Sequence, residues 1–127
     1  IEHIHDFKDF FTKCLHLLNK KGTIMIAVPN HESYDAIHYK KHWAAYDVPR
    51  HLYHFNKKSM STFVKKFNLK IVDVLPLKYD SYFVSLMSEK YKKSNFKLIK
   101  GIFNGLLSNL KSNGDNHSSL IYVIKND

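Results

Sequence analysis

Cysteine is almost absent from this sequence, which has one among its 127 residues. A single cysteine excludes an internal disulfide framework, so a hydrophobic core has to hold the fold together. The sequence can supply that core, because 44% of its residues are hydrophobic and 14% are aromatic, and its length points to one domain at most. The scarcity of cysteine fits a reducing compartment, and we expect a cytoplasmic location.

Long apolar runs are missing as well. In the second half of the chain the longest uncharged stretch covers residues 101–110, which is about half of the roughly 20 residues that a membrane-spanning helix needs. We therefore predict no membrane-spanning segment. No basic region leads into an apolar run at the N-terminus, so we predict no signal peptide, and a sequence that begins on Ile1 is expected to be cut from a longer chain.

Acidic residues are scarce in residues 57–111, which we call the lysine-rich segment. It contains twelve lysines and three acidic residues, a balance of +9 (12 − 3), whereas the rest of the chain sums to zero. Two interpretations are open: a solvated helical surface, or a surface that attracts an anionic membrane, nucleic acid or an acidic substrate. The segment has no arginine, which argues against specific nucleic-acid recognition.

Hydrophobic periodicity predicts that the chain begins with a helix and a strand. Apolar residues recur at three- and four-residue spacing from Phe7 to Leu18, with Asp6 as N-cap and Gly22 as a stop, which predicts an amphipathic helix. Residues 23–28 are a β-prone run without polar alternation, typical of a strand covered on both faces. Helix, tight turn and buried strand in this order indicate the α/β class.

The rest of the chain continues this alternation. Residues 31–55 are rich in histidine and aromatic residues without periodicity, which predicts a long functional loop with a short helix in it. A second amphipathic helix is predicted from about Ser59, followed by strands at 69–75 and 120–124. Between these two strands the pattern is helical again from Ser81 to about Leu110, and it predicts two helices.

Several short strings resemble class I S-adenosylmethionine (SAM)-dependent methyltransferases. Ile1-Glu2-His3-Ile4 is similar to the end of that family's fourth strand, and Lys20-Lys21-Gly22 is similar to its turn before strand five. Val28-Pro29-Asn30-His31, Trp43 and the string from Asp47 to Phe55 are similar to the subgroup related to the ubiquinone-biosynthesis methyltransferases. The resemblance implies that residues 1–127 are the C-terminal half of such an enzyme.

The same resemblance implies a partial Rossmann-like fold. Residues 23–28, 69–75 and 119–125 would be the fifth, sixth and seventh strands of the family sheet. They would form a mixed three-stranded sheet in the order 5-7-6 with flanking helices, in which the last strand is antiparallel and lies between the other two. Residues 79–112 would be a helical insertion between the last two strands. The outer edge of strand 23–28 would then be bare, and because an unpaired edge invites pairing with another chain we expect a homodimer through it.

The elements that anchor SAM in this family are missing from the sequence. Members have a glycine-rich turn after the first strand and an acidic residue after the second. The four glycines here, Gly22, Gly101, Gly105 and Gly114, form no such motif, although Gly101 and Gly105 have the spacing that permits close contact between helices. We therefore expect the cofactor-binding half to be a missing partner, and the isolated chain to be inactive and to bind SAM weakly or not at all.

Candidate site residues follow from the resemblance. Methyl transfer from a sulfonium is an in-line displacement, so the enzyme has to align donor and acceptor and remove a proton from a hydroxyl or amine acceptor. His3 would lie at the carboxyl end of strand four, where open α/β sheets bind ligands, and it is the candidate catalytic base because histidine titrates near neutrality. Glu2 and His3 are the candidate cofactor contacts.

The candidate contacts to the acceptor are Asn30, His31, Trp43, Arg50, His51 and Tyr53. Structural alternatives are open for several of them: a turn former at Asn30, a buried indole at Trp43, and a pair between Arg50 and Asp47. The identity of the acceptor, whether a small molecule, a sugar or a lipid, cannot be read from these residues.

No metal site is predicted. The chain has nine histidines, but no matched set of cysteines or carboxylates accompanies them at a metal-binding spacing. Two functions stay open. One is a fragment of a SAM-dependent methyltransferase that acts on a small-molecule, sugar or lipid acceptor, with a peripheral membrane contact allowed by the lysine-rich segment. The other is a non-catalytic basic module that binds an anionic membrane or nucleic acid.

Overall fold

The chain folds around a three-stranded sheet, seen in a computed structural model that describes residues 1–113 and 116–126. Five helices and two single turns of 3-10 helix connect and cover the strands. The two 3-10 turns, Lys40–His42 and Ala44–Tyr46, follow the second helix. The remaining elements are, in chain order, α1 Phe7–Leu17, β1 Ile24–Pro29, α2 Tyr34–Tyr39, α3 Lys57–Lys65, β2 Leu69–Pro76, α4 Asp80–Tyr91, α5 Lys97–Lys111 and β3 Ser119–Asn126.

The last strand of the chain lies in the centre of the sheet. The strand order is β1-β3-β2, and β3 runs antiparallel to both neighbours, with Ile24 and Ile71 on either side of Ile124. The α/β class is confirmed. The antiparallel direction expected for the last strand is observed, but the label of a mixed sheet is wrong. β1 and β2 run in the same direction, yet each pairs with β3, which runs against both, so every pairing is antiparallel.

The hydrophobic core lies on one face of the sheet, under α1 and α3. Its buried residues include Phe11 of α1, Met60 of α3 and Tyr122 of β3. In β1 burial alternates, with Ile26 and Val28 buried and the residues between them exposed. The prediction that this strand is covered on both faces is therefore wrong: the helices of this chain cover one of its faces.

Local capping explains where the helices start. Asp6 accepts a hydrogen bond from the backbone N–H of Asp9 at 2.9 Å, which confirms it as the N-cap of α1. Asn56 and Ser59 form a capping box at the start of α3. After α3, Asn68 has φ 55, the left-handed conformation that asparagine tolerates better than most residues and that reverses the chain into β2.

The insertion forms two helices that contact each other closely. A Cβ added at Gly101 would lie 2.8 Å from the Cα of Leu86, and one added at Gly105 would lie 2.7 Å from the Cα of Tyr82. These distances are shorter than real Cβ contacts, so α4 and α5 approach as near as they do because both positions lack a side chain. The glycine spacing noted in the sequence thus serves close helix packing.

A buried carboxylate links this insertion to the rest of the fold. Asp35 of α2 is fully buried. It accepts hydrogen bonds from the indole Nε1 of Trp43 at 2.8 Å and from the hydroxyls of Ser108 and Ser118, each at 2.7 Å. The three donors come from the loop after α2, from α5 and from the chain entering β3, so one side chain connects four parts of the structure.

We predict that Asp35→Ala destabilises the fold strongly. The substitution leaves one indole N–H and two hydroxyls buried without an acceptor, and the loss is expected to be about 3–5 kcal/mol in the free energy of unfolding. Urea denaturation followed by circular dichroism measures it. The control is Asp9→Ala, which removes a surface carboxylate paired with Lys13 and should shift the midpoint little. Equal shifts for the two variants would show that the buried network is not stabilising.

Candidate functional site

Residues 50–55 connect the N-terminal segment to the end of β1. The backbone N–H of Leu52 donates to the carbonyl of Glu2 at 2.7 Å, and the N–H of His31 donates to the carbonyl of Phe55 at 3.1 Å. A parallel bridge between Asn30 and Phe55 extends the contact. The string from Asp47 to Phe55 therefore lies between two of the other similar strings, those at residues 1–4 and 28–31.

This connection brings Glu2, His3 and His51 together as one cluster, which we call the His–Glu cluster. The Nε2 atoms of His3 and His51 each lie 3.9 Å from Oε1 of Glu2. The two imidazole rings meet edge to face, with their centroids 4.5 Å apart. Sequence spacing could not show this cluster, because His51 is far from the other two residues along the chain.

Backbone carbonyls orient both imidazole rings. Nδ1 of His3 lies 3.1 Å from the carbonyl of Arg50, and Nδ1 of His51 lies 2.8 Å from the carbonyl of Ala45. Since a carbonyl only accepts hydrogen bonds, Nδ1 carries the proton in each ring, and in the neutral ring Nε2 keeps its lone pair. Both lone pairs are then available beside the carboxylate of Glu2.

Opposing influences act on the carboxylate of Glu2. Burial raises the pKa of this carboxyl, whereas a hydrogen bond from its own backbone N–H and the charge of His51 lower it. A carboxylate close to two imidazoles stabilises the imidazolium that forms when either ring takes a proton.

The His–Glu cluster could also hold a metal ion. One ligand atom from each of Glu2, His3 and His51 lies within 4.8 Å of the others. Two imidazole nitrogens and one carboxylate, with Nδ1 atoms fixed by backbone carbonyls, are a donor set that divalent transition metals accept. The expectation of no metal site rested on sequence spacing alone. Spacing cannot show that His51 meets Glu2 and His3 in the folded chain.

A cavity of about 260 Å³ adjoins the cluster and shares His51 with it. One wall is α4, whose Phe83, Val84 and Met87 are apolar. The opposite wall is the loop after Trp43. The complete lining is Pro29, Ala44, Ala45, Asp47, Arg50, His51, Asp80, Phe83, Val84, Met87 and Tyr91.

Charged groups lie on both walls of the cavity. The guanidinium of Arg50 donates to the carboxylate of Asp47, and the distance from Nε to Oδ1 is 3.1 Å. This bond confirms the pairing considered from the sequence. On the other wall Asp80 accepts a hydrogen bond from the hydroxyl of Ser119. Burial raises the pKa of the Asp80 carboxyl; the Ser119 hydrogen bond opposes the rise and the charge of Asp35 adds to it.

The structure separates the candidate acceptor contacts into two groups. Arg50 and His51 line the cavity. The others do not: Trp43 is buried with its indole bonded to Asp35, and Tyr53 packs against the core, with its hydroxyl donating to the carbonyl of His5. Acceptor contact by this second group stays a prediction.

Asn30 and His31 lie just beyond β1. Asn30 is buried, and its amide donates to Oδ1 of Asn116 at 2.6 Å and to the carbonyl of His117 at 3.2 Å. These bonds fasten the end of β1 to the chain that enters β3. Oδ1 of Asn30 also accepts from the backbone N–H of Glu32 at 3.2 Å, which agrees with the turn-forming alternative considered for Asn30. His31 is half-buried and is fixed through its backbone.

Sequence reasoning missed one wall of the cavity. Asp80, Phe83, Met87 and Tyr91 all belong to α4, inside the segment that the sequence describes only as a helical insertion. The signal that could have found them is the acidic Asp80 at the start of this helix, followed by the apolar Phe83, Val84 and Met87. Nothing in the sequence indicates that this helix faces the loop at residues 44–51.

The described residues do not provide the usual anchor for SAM. Gly22 lies in the turn before β1, and Gly101 and Gly105 serve the contact between α4 and α5. Gly114 lies outside the described residues. Within residues 1–113 and 116–126 no glycine-rich loop cradles a ligand, so Glu2 and His3 would contribute only part of the wall of a cofactor site.

No helix in the described ranges is both long enough and apolar enough to cross a bilayer.

Comparison with known proteins identifies the family. A family model described as "Methyltransferase domain" matches residues 1–74, which is more than half of the chain. The matched part contains the His–Glu cluster and the whole loop wall of the cavity, and it ends in β2, before α4 and α5. No curated protein matches the sequence. The chain therefore belongs to the methyltransferase-domain family.

Proposed function

We propose that this chain is the C-terminal, acceptor-side part of a SAM-dependent methyltransferase of the subgroup related to the ubiquinone-biosynthesis enzymes. The observation that carries the proposal is the convergence of two imidazole Nε2 atoms on the Glu2 carboxylate at the edge of a cavity. The strand order β1-β3-β2 supports assigning these strands as the fifth, seventh and sixth of the family sheet. The glycine-rich half that holds SAM is the missing partner of this chain.

The proposed chemistry divides the work between the two histidines. SAM supplies an electrophilic methyl group, so the residues of this chain have to hold the acceptor and receive its proton. His51 lines the cavity, and its Nε2 is the atom placed to take a proton from a hydroxyl or amine bound there. His3 is more exposed, at 56% of its side chain, and contacts the cofactor side. Glu2 stabilises the imidazolium that forms.

The acceptor enters the cavity between α4 and the loop. A volume of about 260 Å³ is below the range of most ligand pockets, so the cavity takes the reacting part of an acceptor rather than a large molecule whole. Phe83 and Met87 favour an apolar ring or chain, and Arg50 and Asp80 provide polar contacts on the two walls of the cavity. A small molecule, a sugar or a lipid headgroup with an apolar neighbour fits this description.

The free edge of β1 is where the missing half would pair. Among residues 1–113 and 116–126, β1 forms a ladder with β3 alone, so its other edge offers unpaired backbone groups. In the complete enzyme we propose that the fourth strand of the family sheet covers this edge. In the isolated chain a second copy covers it.

We predict that the isolated chain self-associates through β1. Sedimentation velocity should show a dimer, and Ala27→Pro should shift it to monomer, because proline removes a backbone donor from this strand. The control is Val72→Pro, at the bulge of the opposite edge strand, which should leave the dimer intact. Circular dichroism checks that both variants remain folded. A strictly monomeric parent chain would contradict the prediction.

We predict that His51→Ala lowers kcat of the complete enzyme by about 10²–10⁴-fold, the usual contribution of a positioned general base. His3→Ala should instead raise KM for SAM more than it lowers kcat. Transfer of tritium from labelled SAM to a fractionated extract of small molecules and lipids measures both. His38→Ala, an exposed histidine outside the cluster, is the matched control and should leave both constants unchanged. Full kcat in the His51→Ala enzyme would refute the proposed role.

A further inference from the structure

Helix α5 packs on the protein through its small and polar residues. Gly101, Gly105 and Ser108 are buried and face α4 and α2. They share one face because residues three and four positions apart lie together on a helix. The hydroxyl of Ser108 bonds to Asp35, which fixes the rotation of the helix about its own axis.

The apolar residues of α5 point the other way. Its apolar face consists of Ile99, Ile102, Phe103, Leu106 and Leu110, and these side chains are between 43% and 69% exposed. They recur at three- and four-residue spacing and lie opposite the buried glycines. A surface helix of a globular protein normally directs its apolar stripe to the core. In α5 the apolar stripe points away from the core, so a partner that covers it would have to come from outside the described residues.

Positive charge is concentrated in α5 and in the chain that leads into it. Residues 90–111 contain six lysines and no acidic residue. All six side chains belong to exposed residues: Lys90, Lys92, Lys93, Lys97, Lys100 and Lys111. Two of them lie over tyrosine rings of α2, Lys92 over Tyr39 at 5.7 Å and Lys111 over Tyr34 at 4.6 Å. Lys100 is three residues from Phe103, so it lies beside the apolar face.

The combination of an apolar stripe and flanking lysines selects among partners. A second copy seated on the apolar face would bring two strongly basic helices together, which like-charge repulsion opposes. Nucleic acid would use the lysines, but it offers no apolar surface to Ile99, Ile102 or Leu106. An anionic bilayer satisfies both features, since its acyl chains accept the apolar face and its headgroups accept the lysines.

We propose that α5 is an interfacial anchor that lies in the surface of an anionic membrane. The helix axis runs parallel to the bilayer plane, the apolar face enters the boundary between headgroups and acyl chains, and the lysines contact lipid phosphates. The anchor is reversible and peripheral, because a single helix of this kind does not cross the bilayer. It does not depend on the chemistry at the His–Glu cluster.

The test is vesicle flotation of the isolated chain, residues 1–127. It should float with vesicles of phosphatidylcholine mixed with phosphatidylglycerol and stay unbound with phosphatidylcholine alone. Ile99→Ser with Phe103→Ser should weaken binding by about tenfold or more for each side chain. Lys97→Gln with Lys100→Gln should weaken it by about fivefold for each lysine, and added salt should mimic this loss. Leu17→Ser, which removes an exposed leucine of α1, is the control and should bind like the parent chain.

Several outcomes would overturn the anchor. Equal flotation with neutral and anionic vesicles would remove the role of the lysines, and unchanged flotation of the Ile99/Phe103 variant would remove the apolar face. Binding to duplex DNA without binding to anionic vesicles would assign the surface to nucleic acid. A dimer that the Ile99/Phe103 variant dissociates, without vesicle binding of the parent, would assign it to a second copy. Circular dichroism checks that the Ile99/Phe103 variant stays folded. Folding is expected because both residues are exposed.

Discussion

The carboxylate of Asp35 is the interaction on which the arrangement of the rest of the molecule depends. It is buried, and its three donors come from the loop after α2, from α5 and from the chain that enters β3. The bond to Trp43 fixes the start of the loop at residues 44–51. The carbonyl of Ala45 in that loop then orients the ring of His51. A core interaction with no chemical role thus determines where an imidazole of the candidate site points.

The same dependence explains why α5 exposes its apolar side. The bond between Ser108 and Asp35 and the close contacts of Gly101 and Gly105 with α4 require the small, polar face of α5 to turn inward. Its larger apolar residues then have no place in the core. The family match ends at residue 74, so both helices of the insertion lie beyond the matched part. One of them completes the cavity wall, and the other presents an unusual surface.

Local features of the fold could be predicted from the sequence, because they depend on neighbouring residues. The periodicity of α1, its cap at Asp6, and the division of the insertion into two helices are of this kind, and the structure confirms them. The two-sided burial expected for β1 was wrong, because the apolar run does not reveal how many helices are available to cover it. Strand pairing likewise depends on partners far along the chain.

The candidate site could be predicted only in part for the same reason. The resemblance indicated Glu2, His3, Arg50 and His51 as separate candidates, but not that three of them form one cluster. The wall contributed by α4 and the burial of Trp43 depend on tertiary packing that no short string encodes. Asp35, which positions the loop, has no sequence feature that distinguishes it from an ordinary first-turn acid in a helix.

The central claim is that this chain supplies the acceptor side of a methyltransferase and leaves the anchoring of SAM to a partner half. Calorimetric titration of SAM into the isolated chain, and into the chain combined with that half, tests it most directly. The account predicts stoichiometric binding only when the two halves are together, with weak or no heat of binding for the chain alone. Tight, stoichiometric binding of SAM by the isolated chain would contradict it.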